Sequence, residues 1–172
     1  MITYDLKKIK AFVFDVDGVL SSSRITLDMN GDPMRTVNIK DGYALQLAIK
    51  KGFEVGIITG GVTESVKLRY ERLGIRHIYM GSYNKLSDYL HFKKCTQLKD
   101  RHIMYCGDDI PDYDIMKIVG LPVAPADAAP EIKDLATYVS PYQGGDGVAR
   151  DIIEKTLKIN GLWMDEEAFG ML

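Results

Sequence analysis

Cysteine is scarce in this chain: Cys95 and Cys106 are the two among 172 residues. Neither lies in a Cys-x-x-Cys or metal-type spacing, which excludes a disulfide framework. The expectation is two reduced, mostly buried thiols in a cytosolic protein. The three histidines, His77, His91 and His102, are scattered, which argues against a catalytic histidine or a zinc site. No apolar run approaches the ~20 residues of a membrane span. The first such run, Ala11-Phe12-Val13-Phe14, is too short for a signal-peptide core and ends on an acid. Neither sign of charge dominates. A formal net charge of −2 offers no basic field for nucleic acid or an anionic membrane. An anionic ligand would have to be held by a few local cations.

What is present is the composition of an ordinary globular protein, 46% hydrophobic and 27% charged, at a length that suits one domain over residues 1–172. Short β-type runs alternate with longer segments of helical period, which predicts an α/β fold with a mostly parallel sheet. Strands are expected at residues 10–16, 53–58, 77–80, 102–106 and 121–123, with an edge strand at Tyr138-Val139. Their lack of alternation fits strands covered on both faces. Helices are expected at 41–51, 62–73, 85–98, 111–119 and 146–159, several of them stopped by glycine. Two segments, 24–27 and 35–39, flank the turn signal Asn30-Gly31 and read as a projecting β-hairpin over 24–39. The tail, 160–172, carries Trp163, which reads as packing, and Phe169; it is expected to be disordered or to dock on another subunit.

The chemistry-bearing residues fall at strand ends. Asp15 and Asp17 are two apart at the end of the first strand, so they leave it on the same side, and Gly18 lets the chain turn. Two adjacent carboxylates repel, so they are expected to share a divalent cation or a proton. The second strand ends in Thr59-Gly60-Gly61, a hydroxyl followed by backbone N–H groups free to face an anion. Lys85 opens a helix after the next strand. Gly107-Asp108-Asp109 ends the strand at 102–106, with Asp112 close behind. Each alone is an ordinary turn, cap or surface residue. Together they gather at the carboxyl edge of one sheet, where ligands of open α/β folds bind. Gly144 to Gly147 could cradle an anion or could be a flexible lead into the last helix.

This set resembles the haloacid dehalogenase superfamily of phosphatases: Asp15-Val16-Asp17-Gly18-Val19, Thr59-Gly60, Lys85 and Gly107-Asp108-Asp109. The resemblance covers about residues 10–159 and implies a Rossmann-like three-layer α/β/α sandwich. Within it, Asn38-Ile39-Lys40-Asp41-Gly42-Tyr43, Gly81 to Leu86, Ala126-Asp127-Ala128 and Gly144 to Arg150 are similar to stretches of the 3-deoxy-D-manno-octulosonate 8-phosphate (KDO 8-phosphate) phosphatases of lipopolysaccharide precursor synthesis. The resemblance implies a mechanism. Asp15 attacks phosphorus and Asp17 acts as acid, then base. Mg2+ sits on Asp15, Asp108 and the backbone carbonyl of Asp17. Thr59 and Lys85 hold the phosphoryl oxygens beside Gly60. Asp109 or Asp112 orients the metal site from behind. Asn38, Ile39, Lys40, Asp41, Gly42 and Arg69 face the substrate or a neighbouring subunit's site.

Two positions depart from that pattern: Gln46 and Gly61 both stand where arginine is common. Substrate carboxylate and hydroxyls are then held differently. The 41 residues between Asp17 and Thr59 and the 25 between Thr59 and Lys85 leave no room for a cap domain. Capless relatives are closed by neighbouring subunits, which implies a homotetramer packed through hairpins. Two other readings stay open here: a phosphatase of a nine-carbon sialic-acid-type 9-phosphate, and a non-catalytic oligomerisation module like those fused to sugar cytidylyltransferases.

Overall fold

The computed structural model describes residues 2–165; Phe169 and the rest of 166–172 lie outside them. Six parallel strands form one sheet in the order β5-β4-β1-β6-β7-β8. They are β1 (Ala11–Phe14), β4 (Glu54–Ile58), β5 (His77–Tyr79), β6 (Ile103–Cys106), β7 (Leu121–Ala124) and β8 (Tyr138–Val139). A separate antiparallel hairpin pairs β2 (Thr26–Leu27) with β3 (Pro33–Met34). The helices are α1 (Ile39–Lys50), α2 (Glu64–Arg72), α3 (Lys85–Thr96), α4 (Tyr113–Met116), α5 (Pro130–Leu135) and α6 (Val148–Ile159).

Every residue of β1, β6 and β7 is buried, as expected for strands covered on both faces. The side chains alternate between two cores. Phe12, Phe14, Val55, Ile57, Met104 and Cys106 meet α1, α2 and α6 on one face. Ala11, Val13, Ile58, Ile103 and Tyr105 meet α3, α4 and α5 on the other. Gly56 belongs to this second face, where the Phe92 ring lies 3.0 Å from the position a Cβ would take. Burying each large apolar side chain of this kind stabilises the sheet by ~1.5–3 kcal/mol.

Several elements differ from the sequence expectation. The far arm of the hairpin is Pro33–Met34, not 35–39. Residue 35 turns inward, Asn38 caps α1, and Ile39 already starts that helix. Proline is tolerated in β3 because a two-stranded ribbon has open edges. The helix expected at 111–119 is a 3-10 turn, Ile110–Asp112, running into the short α4. Helix α5 has no counterpart in the expectation, because Ile132 is its only buried residue and no periodicity marks it. Cys106 is buried but Cys95 is exposed, one turn beyond His91 on the outer side of α3.

The tail as far as 165 folds back on its own chain. Trp163 packs edge-on to Tyr43 with ring centroids 6.3 Å apart, and the Arg150 guanidinium lies 4.5 Å from the indole. The segment Gly144 to Gly147 buttresses the turn after β1. Gly145 N donates to Val19 O at 2.9 Å, and Gly144 N donates to Asp127 Oδ1 at 2.9 Å. A Cβ on Gly144 would stand 2.1 Å from the Gly18 carbonyl oxygen. Gly144→Ala is therefore expected to lower stability by about 1–3 kcal/mol through overpacking. A denaturant midpoint equal to that of the wild type would contradict this packing.

Candidate active site

The carboxyl ends of β1, β4 and β6 and the start of α3 meet at one edge of the sheet. Asp15 follows β1 and keeps its register, its N–H donating to Cys106 O at 3.0 Å. Its Oδ1 accepts from Val16 N at 2.7 Å, and its Oδ2 lies 2.8 Å from Lys85 Nζ. Lys85 is the first residue of α3, held there by the Asn84 cap, which accepts from Ser87 N at 3.1 Å. The same ammonium donates to Asp112 Oδ1 at 2.7 Å.

Asp112 is wholly buried and every oxygen is used. Its Oδ1 also accepts from Tyr105 Oη at 2.6 Å, and its Oδ2 accepts from Asp108 N at 3.0 Å and Asp109 N at 3.4 Å. Of the two residues expected behind the metal site, Asp112 is the buried one, bonded to Lys85 and to the backbone of Asp108 and Asp109. Asp109 is exposed and caps the following turn through Ile110 N. Tyr105 was not expected from the sequence, since a tyrosine inside an apolar strand reads as core. Glycine is required on both sides of Asp108. A Cβ on Gly107 would lie 2.4 Å from Asp112 Cβ, and one on Gly18, at φ +82°, would lie 1.9 Å from Asp108 Oδ2.

Oxygens of Asp15, Asp108 and Asp112 lie within 4.8 Å of one another. Burial and the carboxylates of Asp15 and Asp112 push Asp108 up to about 8. Burial, then Asp112, also push Asp15 upward against the pull of Lys85. Burial alone would favour neutral Lys85, but Asp15 and Asp112 outweigh it and hold the ammonium charged. Among the described residues none donates a hydrogen bond to the Asp108 carboxylate. Crowded hard oxygens with a single ammonium among them suit a divalent cation, with Asp15 and Asp108 as the available carboxylates.

Asp17 is not part of this cluster. The close carboxyl neighbours of Asp15 are Asp108 and Asp112 instead. Arg35 claims Asp17 in a two-pronged ion pair, Nε to Oδ1 at 2.6 Å and Nη2 to Oδ2 at 2.8 Å. Arg35 also donates from Nη1 to Thr63 Oγ1 at 2.6 Å. No local pattern in the sequence marks Arg35 for this contact. Thr59 is buried at the end of β4, and its Oγ1 accepts from Gly61 N at 3.1 Å. Its loop is tied to the one before α3 by Ser82 N to Thr59 O and Gly81 N to Gly61 O, both 2.9 Å.

The stretch after the hairpin is largely spent within the chain. Asn38 Oδ1 accepts from Lys40 N at 2.9 Å and Asp41 N at 3.3 Å, while its amide donates to Gly145 O at 3.1 Å. Asp41 is buried and accepts from Arg150 N at 2.6 Å; burial raises it to about 6. Arg69 lies against Gly42, its Nη2 2.6 Å from where a Cβ would stand. Ile39 and Lys40 are exposed, as is Gly60, and Gln46 is half-buried. The side chains of Asn38 and Asp41 therefore fix α1 to the Gly145 segment and α6, leaving Ile39 and Lys40 as the outward ones.

Residues 74–152 match the family model of the haloacid dehalogenase-like hydrolases. The chain is 37% identical over 155 residues to the 3-deoxy-D-manno-octulosonate 8-phosphate phosphatase of Escherichia coli (strain K12), covering 90% of this chain and 82% of that one. The crystal structure of the corresponding Yersinia pestis phosphatase superposes with a TM-score of 0.88 at 34% identity, over 91% of this chain and 85% of the other. That of Moraxella catarrhalis, in complex with magnesium, phosphate and KDO, does so at 0.87 and 31%, over 91% of each.

The raised Asp108 has a consequence for the metal-free protein. Between about pH 4, the usual carboxylate value, and pH 8, the folded chain keeps a proton that the unfolded chain has released. Stability is therefore lost as pH rises through that window, Asp15 acting in the same direction. Asp108→Asn is expected to stabilise the metal-free protein at pH 8 by roughly 1–3 kcal/mol, a range reduced for solvent screening. Thermal melts in chelator at pH 5 and pH 8 check this; equal stability of variant and wild type at pH 8 would contradict it.

Proposed function

This chain belongs to the haloacid dehalogenase-like hydrolases, in the family of the 3-deoxy-D-manno-octulosonate 8-phosphate phosphatases, and on that footing we propose that it converts KDO 8-phosphate to KDO and phosphate. It is a phosphoric monoester hydrolase. The observation that carries the proposal is the joining of Asp15, Lys85 and Asp108 around buried Asp112 at one sheet edge. A module kept only for assembly has no need of this buried charge, which is costly unless fully paired.

In the reaction we assign, an Asp15 carboxylate oxygen bonds to phosphorus as the bond from phosphorus to the ester oxygen breaks. Asp17 gives its proton to the departing oxygen. Asp17 then takes a proton from water, whose oxygen attacks phosphorus and releases Asp15 and inorganic phosphate. Lys85, Thr59 and the N–H groups of residues 60–61 hold the phosphoryl oxygens. Asp15, Asp108 and the Asp17 carbonyl would hold Mg2+, which supplies neutralisation of charge on the transferring group. Asp112 keeps Lys85, Asp108 and Asp109 in place through its two oxygens.

The eight-carbon substrate is favoured over a nine-carbon sialic-acid phosphate by the Asn38 to Tyr43 stretch and by the named activity of the relatives. We place the whole chain, 1–172, in one such domain, acting in the cytoplasm. No described helix is long and apolar enough to cross a membrane. We also infer a homotetramer. Between Asp17 and Thr59 the described chain builds only the hairpin, α1 and β4, and Ile25, Leu27, Met34, Val37 and Ile39 are all exposed there.

Asp15→Asn is expected to reduce turnover of KDO 8-phosphate at least about a thousandfold with the fold intact, because an amide cannot attack phosphorus. Phosphate release near the wild-type rate would overturn the assignment. Chelator is expected to remove activity and Mg2+ to restore it without refolding; full activity in excess EDTA would refute the metal's role. Replacing Leu27 and Val37 together with Asp is expected to dissociate the tetramer and to impair sugar-acid phosphates more than a small aryl ester. Light scattering that shows an active wild-type monomer would defeat this assembly.

A further inference from the structure

Arg35 presents a conflict inside the proposed mechanism. Both oxygens of Asp17 are occupied by its guanidinium, at 2.6 and 2.8 Å. A carboxyl held in that way has no free oxygen from which to pass a proton to a leaving group, or with which to take one from water. The Arg35 side chain is only 7% exposed, while that of Asp17 is 32% exposed, so the guanidinium is the buried partner and does not leave easily without a replacement for the carboxylate. If Asp17 serves the reaction, something must take Arg35 away from it.

The surroundings of Arg35 indicate what that is. The guanidinium sits between Asp17 and the loop after β4: its Nη1 donates to Thr63, and its Nη2 would be 3.0 Å from a Cβ on Gly61. A cleft of about 440 Å³ runs beside it, between the hairpin at Asp32 and Pro33 and the loop at Gly60 to Glu64. A phosphate group held at Thr59 and Lys85 would stand next to this fork. Phosphate offers a guanidinium the same two-pronged geometry as a carboxylate, with more charge. The absence of a side chain at Gly61 leaves the guanidinium room to make the exchange.

We propose that Arg35 is a substrate-binding residue that exchanges partners, clamping Asp17 in the free enzyme and passing to the phosphoryl oxygens of the bound ester. The exchange frees Asp17, which takes a proton from solvent and gives it to the departing oxygen as its bond to phosphorus breaks. The acid/base group is thereby released only when a phosphate group is present. This inference rests on the role assigned to Asp17 above.

The test uses the Mg2+-loaded wild type and Arg35→Ala, Arg35→Lys and Arg35→Gln, with inorganic phosphate as ligand and p-nitrophenyl phosphate as substrate. Calorimetric titration of phosphate reads Arg35 without turnover. Arg35→Ala is expected to weaken phosphate binding and raise KM by about tenfold or more, the loss of one charged two-pronged contact. Its kcat is expected to stay within about threefold, because Asp17 is no longer clamped. Arg35→Lys should fall between. If Arg35→Ala does not fold, Arg35→Gln, which keeps part of the aliphatic stem and a neutral hydrogen-bonding head, is read the same way. Unchanged phosphate affinity and KM, with or without lost thermal stability, would reduce Arg35 to a pin for the hairpin. A fall in kcat with KM unchanged would also overturn the exchange. Failure of the underlying phosphatase reading looks different: the wild type itself would then show no Mg2+-dependent turnover.

Discussion

Among the described residues the ammonium of Lys85 is the one positive charge set among three carboxyl groups, and the arrangement of the sheet edge depends on it. It reaches Asp15 at 2.8 Å and Asp112 at 2.7 Å, with Asp108 alongside. Removing it would leave buried acids unpaired, which costs more than the pair itself contributes. Three acids against one base leave an excess of negative charge at the mouth of the site. Burial first, and then that excess, raise Asp108, and the same excess underlies the affinity expected for a divalent cation.

The fold supplies this arrangement by convergence of strand ends. Asp15 and Asp108 extend β1 and β6, which are paired in register through Phe14 and Cys106. Close approach is then permitted by glycine at Gly18 and Gly107, where a side chain would collide with Asp108 or Asp112. The Gly144 and Gly145 segment supports the same turn from the other side, held by Asp127 and by Asn38. The side chains of Asn38 and Asp41 and the Gly144 to Gly147 segment thus brace the turn on which the acids rely.

Much of this was readable in the sequence because the main residues are tied to strong local signals. Asp15, Thr59 and Asp108 each end an apolar run, and Lys85 follows one and opens a helix, so strand positions alone carry them to a common edge. What escaped were contacts with no local mark. Arg35 finds Asp17 across the turn of a hairpin, an ion pair that no periodicity encodes. Asp112 could be told from Asp109 only by burial, since both lie in one acidic turn. The hairpin register differs because Val37 and Ile39, though apolar, are exposed and lie outside any strand. Helix α5 escaped because neighbouring elements, not an apolar stripe, hold it in place.

The central claim is that Asp15 carries the phosphoryl group. Slowing the second step with Asp17→Asn, then mixing that variant with Mg2+ and an aryl phosphate and quenching in acid, would accumulate the covalent intermediate. Mass spectrometry of the digested protein should find one phosphoryl group on the peptide containing Asp15, absent when Asp15 is also replaced by Asn. Phosphate release by Asp17→Asn with no such adduct, or an adduct on any other residue, would contradict the account.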